Sequence, residues 1–188
     1  MQRRPLLILP FAALATPWAA QSQTSPTAAP DVVGLLRAGG CVLMLRHAQT
    51  DPGIGDPPGF SLAQCSSQRN LSAQGRSQAS AIGQWFRGHG LQPRQVLSSA
   101  WCRCKDTADL AFGRHTVLPA LASTFNTSTD GSQTRVLRGL LKTIPAGQFD
   151  VWVTHQVNIS ALSGGYPAMG EGFVLGPDAT IRGRTLFA

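Results

Sequence analysis

Residues 39–47 read Gly39-Gly40-Cys41-Val-Leu-Met-Leu45-Arg46-His47. Five apolar side chains in a row behind a glycine pair, with no polar alternation, predict a strand buried on both faces. Such a strand belongs in a sheet covered by helices on both sides. The arginine and histidine that follow it are delivered to its carboxyl end. The pattern recurs along the chain. Strands are expected at Val96–Ser98, His115–Leu118 and Asp150–Thr154, with short ones near Phe173 and Ile181. Helices are expected between them. One starts at Ser72, buries Ala79, Ile82, Trp85 and Phe86, and ends at Gly88–Gly90. Others run over Arg103–Phe112, over Gln133–Lys142 with Val136, Leu137, Leu140 and Leu141 at helical spacing, and from Val157 to Leu162. Strands alternating with helices predict an α/β three-layer sandwich with a mostly parallel central sheet.

The chain has 188 residues and a net charge of +7, and 43% of its residues are hydrophobic. That suits one domain with a real core and excludes a disordered polyelectrolyte. Only Lys105 and Lys142 are lysines, so the positive charge is almost all arginine, the better fork for phosphate and carboxylate. The arginines are scattered singly, which argues against a nucleic-acid partner. Met1 to Ala20 carries Arg3-Arg4, then a short apolar stretch, then small residues, the layout of a secretory signal. Residues 1–22 are accordingly expected to be removed, after Ala15 or after Ser22. Residues 23–30 form a Ser/Thr/Pro/Ala-rich lead-in, and 31–188 form the working domain. The product would be exported to the periplasm or secreted, with no stable membrane insertion. In an oxidising compartment Cys65 could pair with Cys102 or with Cys104, while Cys41 lies in the first strand as plain core.

In sheets of this kind ligands gather at the carboxyl ends of the strands. Arg46-His47, Ser98-Ser99 with Arg103, and His155 all follow strands. Two histidines and two arginines remote in sequence are thus expected to meet at one sheet edge. Arginines neutralise a phosphoryl group, and a neutral imidazole can attack phosphorus. These side chains supply the positive field themselves, so neither metal nor cofactor is expected.

Leu45-Arg46-His47-Ala48-Gln49-Thr50 resembles the Arg-His-Gly signature of the histidine phosphatase superfamily, the phosphoglycerate-mutase-like fold. The segment Cys65–Gly75 is similar to its Leu-Thr-x-x-Gly segment, and Ser98–Ala108 to its Ser-Ser-x-x-x-Arg-x-x-x-Thr-Ala block. Thr154-His155 stands where the family has Gly-His. The resemblance implies His47 as nucleophile, with Arg46, Arg103 and His155 forming the phosphate pocket and Thr50 and Gln49 lining the site. Ala48 departs from the family's usual glycine. It also implies an acid that protonates the leaving oxygen. Glu171, the only glutamate, is favoured over Asp130, unless no donor exists and the substrate has a good leaving group. Arg69 is read equally well as pocket mouth or as solvated surface. His89 and His115 are read as structural. The expected partner is a small phosphorylated substrate or inorganic phosphate. The rival reading is a non-catalytic anion binder of the same fold.

Overall fold

A computed structural model describes residues 31–125, 127 and 131–187. The expected signal segment, the lead-in and Asp130 lie outside the described residues. A short helix, α1 (Val32–Ala38), precedes β1 (Cys41–Arg46). Next come α2 (Ala73–Gly88), β2 (Val96–Ser98), α3 (Cys102–Phe112) and β3 (Thr116–Val117). The chain continues through α4 (Ser132–Leu141), β4 (Phe149–Thr154), α5 (Gln156–Ser163), β5 (Glu171–Leu175) and β6 (Ile181–Leu186). The strands form one six-stranded sheet in the order β3-β2-β4-β1-β5-β6. β3, β2, β4 and β1 run parallel, and β5 and β6 add an antiparallel edge.

The apolar run at 41–45 forms the expected central strand, buried throughout, because it feeds a core on each face. Cys41, Leu43 and Leu45 join Val151 and Val153 of β4 in the layer beneath α1, α2 and α3. Val42 and Met44 join Trp152 in the layer beneath α4 and α5. Side chains alternate across the pleat, so an unbroken apolar strand serves both layers at once. The strand expected at His115–Leu118 shrinks to Thr116–Val117, since this edge position exposes both residues and pairs only with β2. Trp85, expected in the core, is half-buried and packs on its margin.

Two glycines of α2 let backbones meet. A Cβ on Gly75 would strike the carbonyl oxygen of Gln49, and one on Gly83 the carbonyl of Ala111 in α3. The first contact seats α2 against the loop that follows His47. Ser72 fixes the same junction, accepting from the Gly75 N–H at 3.1 Å as N-cap. Its own N–H donates to the Gln49 carbonyl at 3.1 Å. Gly75→Ala is therefore expected to cost at least ~2 kcal/mol, measurable by urea denaturation. A wild-type-like midpoint would disprove the close approach.

Candidate active site

β2, β4 and β1 are neighbours and parallel, so their carboxyl ends share one edge. Arg46 ends β1 and His47 follows it. Ser99 follows β2 and leads into α3, whose first turn carries Arg103. His155 follows β4 and is the N-cap of α5. The sheet brings His47 and His155 together edge to face, with ring centroids 5.5 Å apart. The expected convergence of the two imidazoles is thus what the topology produces.

Both rings are almost wholly buried, His47 at 3% and His155 at 4% exposure. His47 Nδ1 lies 2.9 Å from the Ala48 carbonyl. A carbonyl only accepts, so the neutral ring carries its proton on Nδ1 and leaves the Nε2 lone pair free. His155 Nε2 lies 2.9 Å from Ser99 Oγ, which itself accepts from the Trp101 N–H at 3.4 Å. Nε2 of His155 is thus engaged by the Ser99 hydroxyl. Cys104 Sγ sits 3.5 Å from the same nitrogen, and burial pushes that thiol up to about 12.

Burial pushes the His47 imidazole down to about 3, and the charges of Arg103, Arg46 and Arg69 push the same way against its Ala48 bond. His155 is held well below the ordinary histidine value by burial first, then by His47 and the same three arginines. Both rings are thus uncharged near neutral pH, as a nucleophile requires. These shifts also set a pH dependence of folding. Below about 6.5 the unfolded chain's histidines bind protons that the folded state refuses, so stability falls as pH drops from 6.5 toward 3. Urea midpoints should already decline by pH 5, above the carboxylate range. A flat profile down to pH 4.5 would contradict the buried neutral pair.

The three arginines share a pattern. Arg46 Nη1 donates to Gln156 Oε1 at 2.8 Å and to the Pro167 carbonyl at 2.9 Å. Arg69 Nη1 donates to the Gly53 carbonyl at 2.5 Å. Arg103 donates from Nη1 and Nη2 to the Asp56 carboxylate at 2.7 and 3.1 Å. In all three the buried Nε–H has no partner. Each guanidinium is pinned by one end while its Nε–H keeps unused capacity for an anion.

Thr50 is buried, with its hydroxyl 3.7 Å from Met169 Sδ, and Gln49 is held through its backbone to Gln78 and Ser72. Both stand in the loop after His47. Glu171 is placed differently from the other expected site residues. Its Oε2 accepts from the Ala168 N–H at 2.7 Å, in the segment before β5, and its Oε1 from Arg184 Nε of β6 at 2.9 Å, so both oxygens are engaged. No hydrogen bond links it to either histidine or to Arg46 or Arg103. Arg69, ambiguous in sequence, belongs to the cluster. His89 is exposed and caps α2, and His115 pairs with Asp109 at 2.6 Å.

Sequence reasoning missed Asp56 and Gln156. Asp56 stands in a Pro/Gly loop where no periodicity marks it, although Gly55-Asp56-Pro57-Pro58 is the one place there where an acid is clamped between turn residues. Gln156 follows His155 directly and could have been suspected on adjacency alone. Cys65 pairs with Cys102, and Cys104 stays a free thiol. Among the described residues no group of three His, Cys, Asp or Glu side chains could hold a metal, and no helix is long and apolar enough to cross a membrane.

Comparison with curated protein sequences finds no match. A model of the histidine phosphatase superfamily (branch 1) matches residues 42–125. Among solved structures the chain is similar to a protein described as the phosphohistidine phosphatase SixA from Agrobacterium tumefaciens, with 19% identity, 73% of this chain and 91% of that chain covered, and a TM-score of 0.51. It is similar to the mycobacterial glucosyl-3-phosphoglycerate phosphatase complexed with VO3, with 20% identity, 72% and 92% coverage and a TM-score of 0.53. It is also similar to the protein histidine phosphatase SixA complexed with tungstate, with 16% identity, 77% and 92% coverage and a TM-score of 0.50. At these identities the likeness speaks for the fold. The family model spans β1, the following loop, α2, β2 and α3, so over residues 42–125 the chain is similar to the histidine phosphatase superfamily.

Proposed function

We propose that the chain is a phosphomonoester hydrolase working through a phosphohistidine on His47. The observation that carries this reading is a pair of buried neutral imidazoles 5.5 Å apart inside the field of three arginines, with the His47 Nε2 lone pair free. Nε2 attacks phosphorus, the P–N bond forms, and the P–O bond to the leaving group breaks with its electron pair going to that oxygen. Arg46 and Arg103, joined by Arg69, balance the charge on the equatorial oxygens, and His155 donates a ring N–H. Water then attacks phosphorus, the P–N bond breaks, and inorganic phosphate leaves with His47 neutral again. Gln49 and Thr50 line the loop beside the nucleophile. Solved relatives carry VO3 and tungstate, anions that resemble phosphate, which fits a small phosphorylated substrate.

Glu171 remains the acid proposed for the leaving oxygen, with Asp130 as the alternative, but its engagement by Arg184 and Ala168 supports a second reading. In that reading the substrate is a phosphohistidine or acyl phosphate, whose leaving group needs little protonation. Leaving-group dependence separates the two. If Glu171→Gln changes kcat less than ~3-fold for both p-nitrophenyl phosphate and an alkyl phosphate, Glu171 is not the donor. A loss of ~100-fold confined to the alkyl ester would establish it as the donor.

The N-terminal 22 residues support export, and the Cys65–Cys102 bridge suits an oxidising compartment. Fractionation of cells expressing the full chain tests this: a processed form in the periplasm or medium is expected, and an unprocessed form confined to the cytosol would refute it. A non-catalytic anion binder would hold phosphate tightly without His47-dependent turnover.

A further inference from the structure

Asp56 lies in the long loop between β1 and α2, flanked by exposed residues at 51–54 and 57–60. Its own side chain is only 7% exposed, and that of Arg103 is 4% exposed. Four donors converge on this carboxylate. Oδ1 accepts from Arg103 Nη1 at 2.7 Å and from the Arg69 N–H at 3.0 Å. Oδ2 accepts from Arg103 Nη2 at 3.1 Å and from Trp101 Nε1 at 3.0 Å. The Trp101 ring in turn sits edge-on to His155, with centroids 5.2 Å apart. Among the described acids Asp56 alone bonds a side chain of the arginine–histidine cluster.

A guanidinium has two forked edges, Nη1/Nη2 and Nε/Nη2. Asp56 takes the first, so the Nε–H of Arg103 belongs to the edge left over, and it has no partner. We infer that Asp56 is the positioning carboxylate of the phosphoryl pocket, gripping one edge of Arg103 so that the other faces the transferring group. The same carboxylate, through the Arg69 N–H, sets where the Arg69 side chain enters the cluster. Burial alone would raise its pKa. The Arg103 bond, the Arg69 N–H and the Trp101 indole overcome that and hold it ionised. An acid gripped this way has no proton to lend, so its role runs through Arg103 rather than through the leaving oxygen. Its flanks at 51–54 and 57–60 face solvent, and the pair is charged rather than apolar. Stability alone gives little reason to bury it.

This inference rests on the phosphoryl reading of the cluster, and its test separates the two. Binding of inorganic phosphate is measured by calorimetry for wild type, Asp56→Asn and Asp56→Glu. KM and kcat are measured on aryl phosphates of graded leaving-group pKa, with folding checked by circular dichroism. Asp56→Asn should weaken phosphate binding and raise KM, each by ~10- to 100-fold and equally across leaving groups. Asp56→Glu should recover part of the loss. Phosphate bound as tightly by folded Asp56→Asn, or more tightly, would overturn the inference, as expected of a carboxylate that merely blocks the pocket. A loss that grows with leaving-group pKa would overturn it too, and would make Asp56 the acid. Should Asp56→Asn fail to fold, Asp56→Glu decides: affinity equal to wild type would overturn the positioning role, and a loss of ~10-fold would bear it out. If wild type binds no phosphate and shows no turnover, the parent reading falls and takes this one with it. Unchanged binding in Asp56→Asn sinks this one alone.

Discussion

His47→Ala is expected to lower kcat for an aryl phosphate by on the order of 10⁴-fold or more, leaving only what the arginine field and binding contribute. The magnitude follows from the role. Without the Nε2 lone pair there is no covalent intermediate, and water must attack a phosphorus whose pocket is shaped for an imidazole. Phosphate affinity should fall far less, because Arg46, Arg69 and Arg103 hold the anion. The chemistry also leaves a trace. Wild type quenched during turnover of a ³²P-labelled substrate should carry acid-labile, alkali-stable label, and His47→Ala should carry none. His155→Ala should slow turnover while still allowing label to appear. The pH profile is a second check. His47 stays neutral down to about 3, so kcat/KM should show no acidic limb from the nucleophile between pH 7 and 4. Label on wild type together with undiminished turnover by His47→Ala would end the proposal.

The two faces of this site differed in how openly the sequence declared them. β1, β2, β4 and the helices after them were readable because burial imposes period and length on the chain. Leu43 and Met44 must each meet a different layer, and Ser72 must cap α2 for Gly75 to reach Gln49. The residues closing those strands, Arg46, His47, Ser99 and His155, inherit their positions from that frame, so they were readable too. The mouth of the site was not. Asp56 and Arg69 come from a loop whose course depends on contacts far along the chain, at Trp101, Cys102 and Arg103, and no local pattern announces such contacts. Glu171 shows both. Its place shortly after the second histidine block was readable, while the Arg184 that the antiparallel β5–β6 pairing brings to its carboxylate was not. The bridge was open between two partners for Cys65, since Cys102 and Cys104 are two residues apart on one helix. They face different ways, Cys102 toward the loop and Cys104 toward His155.

That bridge sets the second large effect. Cys65 and Cys102 are 37 residues apart, and closing a loop of that length restricts the unfolded chain by about 4 kcal/mol in the chain-entropy account. For a domain of this size such a loss lowers Tm by about 8–15 °C. Cys65→Ser/Cys102→Ser, or wild type held in dithiothreitol, should show a drop of that order by calorimetry or circular dichroism. The cost to activity should begin before the protein melts. Cys65 lies within the loop that carries Asp56 and Arg69, and Cys102 immediately precedes Arg103. The Cys102 N–H also donates to Gln68 Oε1 at 3.0 Å, a second stitch at the same seam. Cutting the covalent stitch frees the loop from α3 where the Asp56–Arg103 pair must hold, so KM should rise at temperatures where the reduced protein is still folded. Cys41 and Cys104 are buried thiols outside this seam, and alkylating agents should reach them only on unfolding, which separates their chemistry from that of the bridge. A reduced protein that melts within about 3 °C of the oxidised one would show that the loop is held by its polar contacts alone.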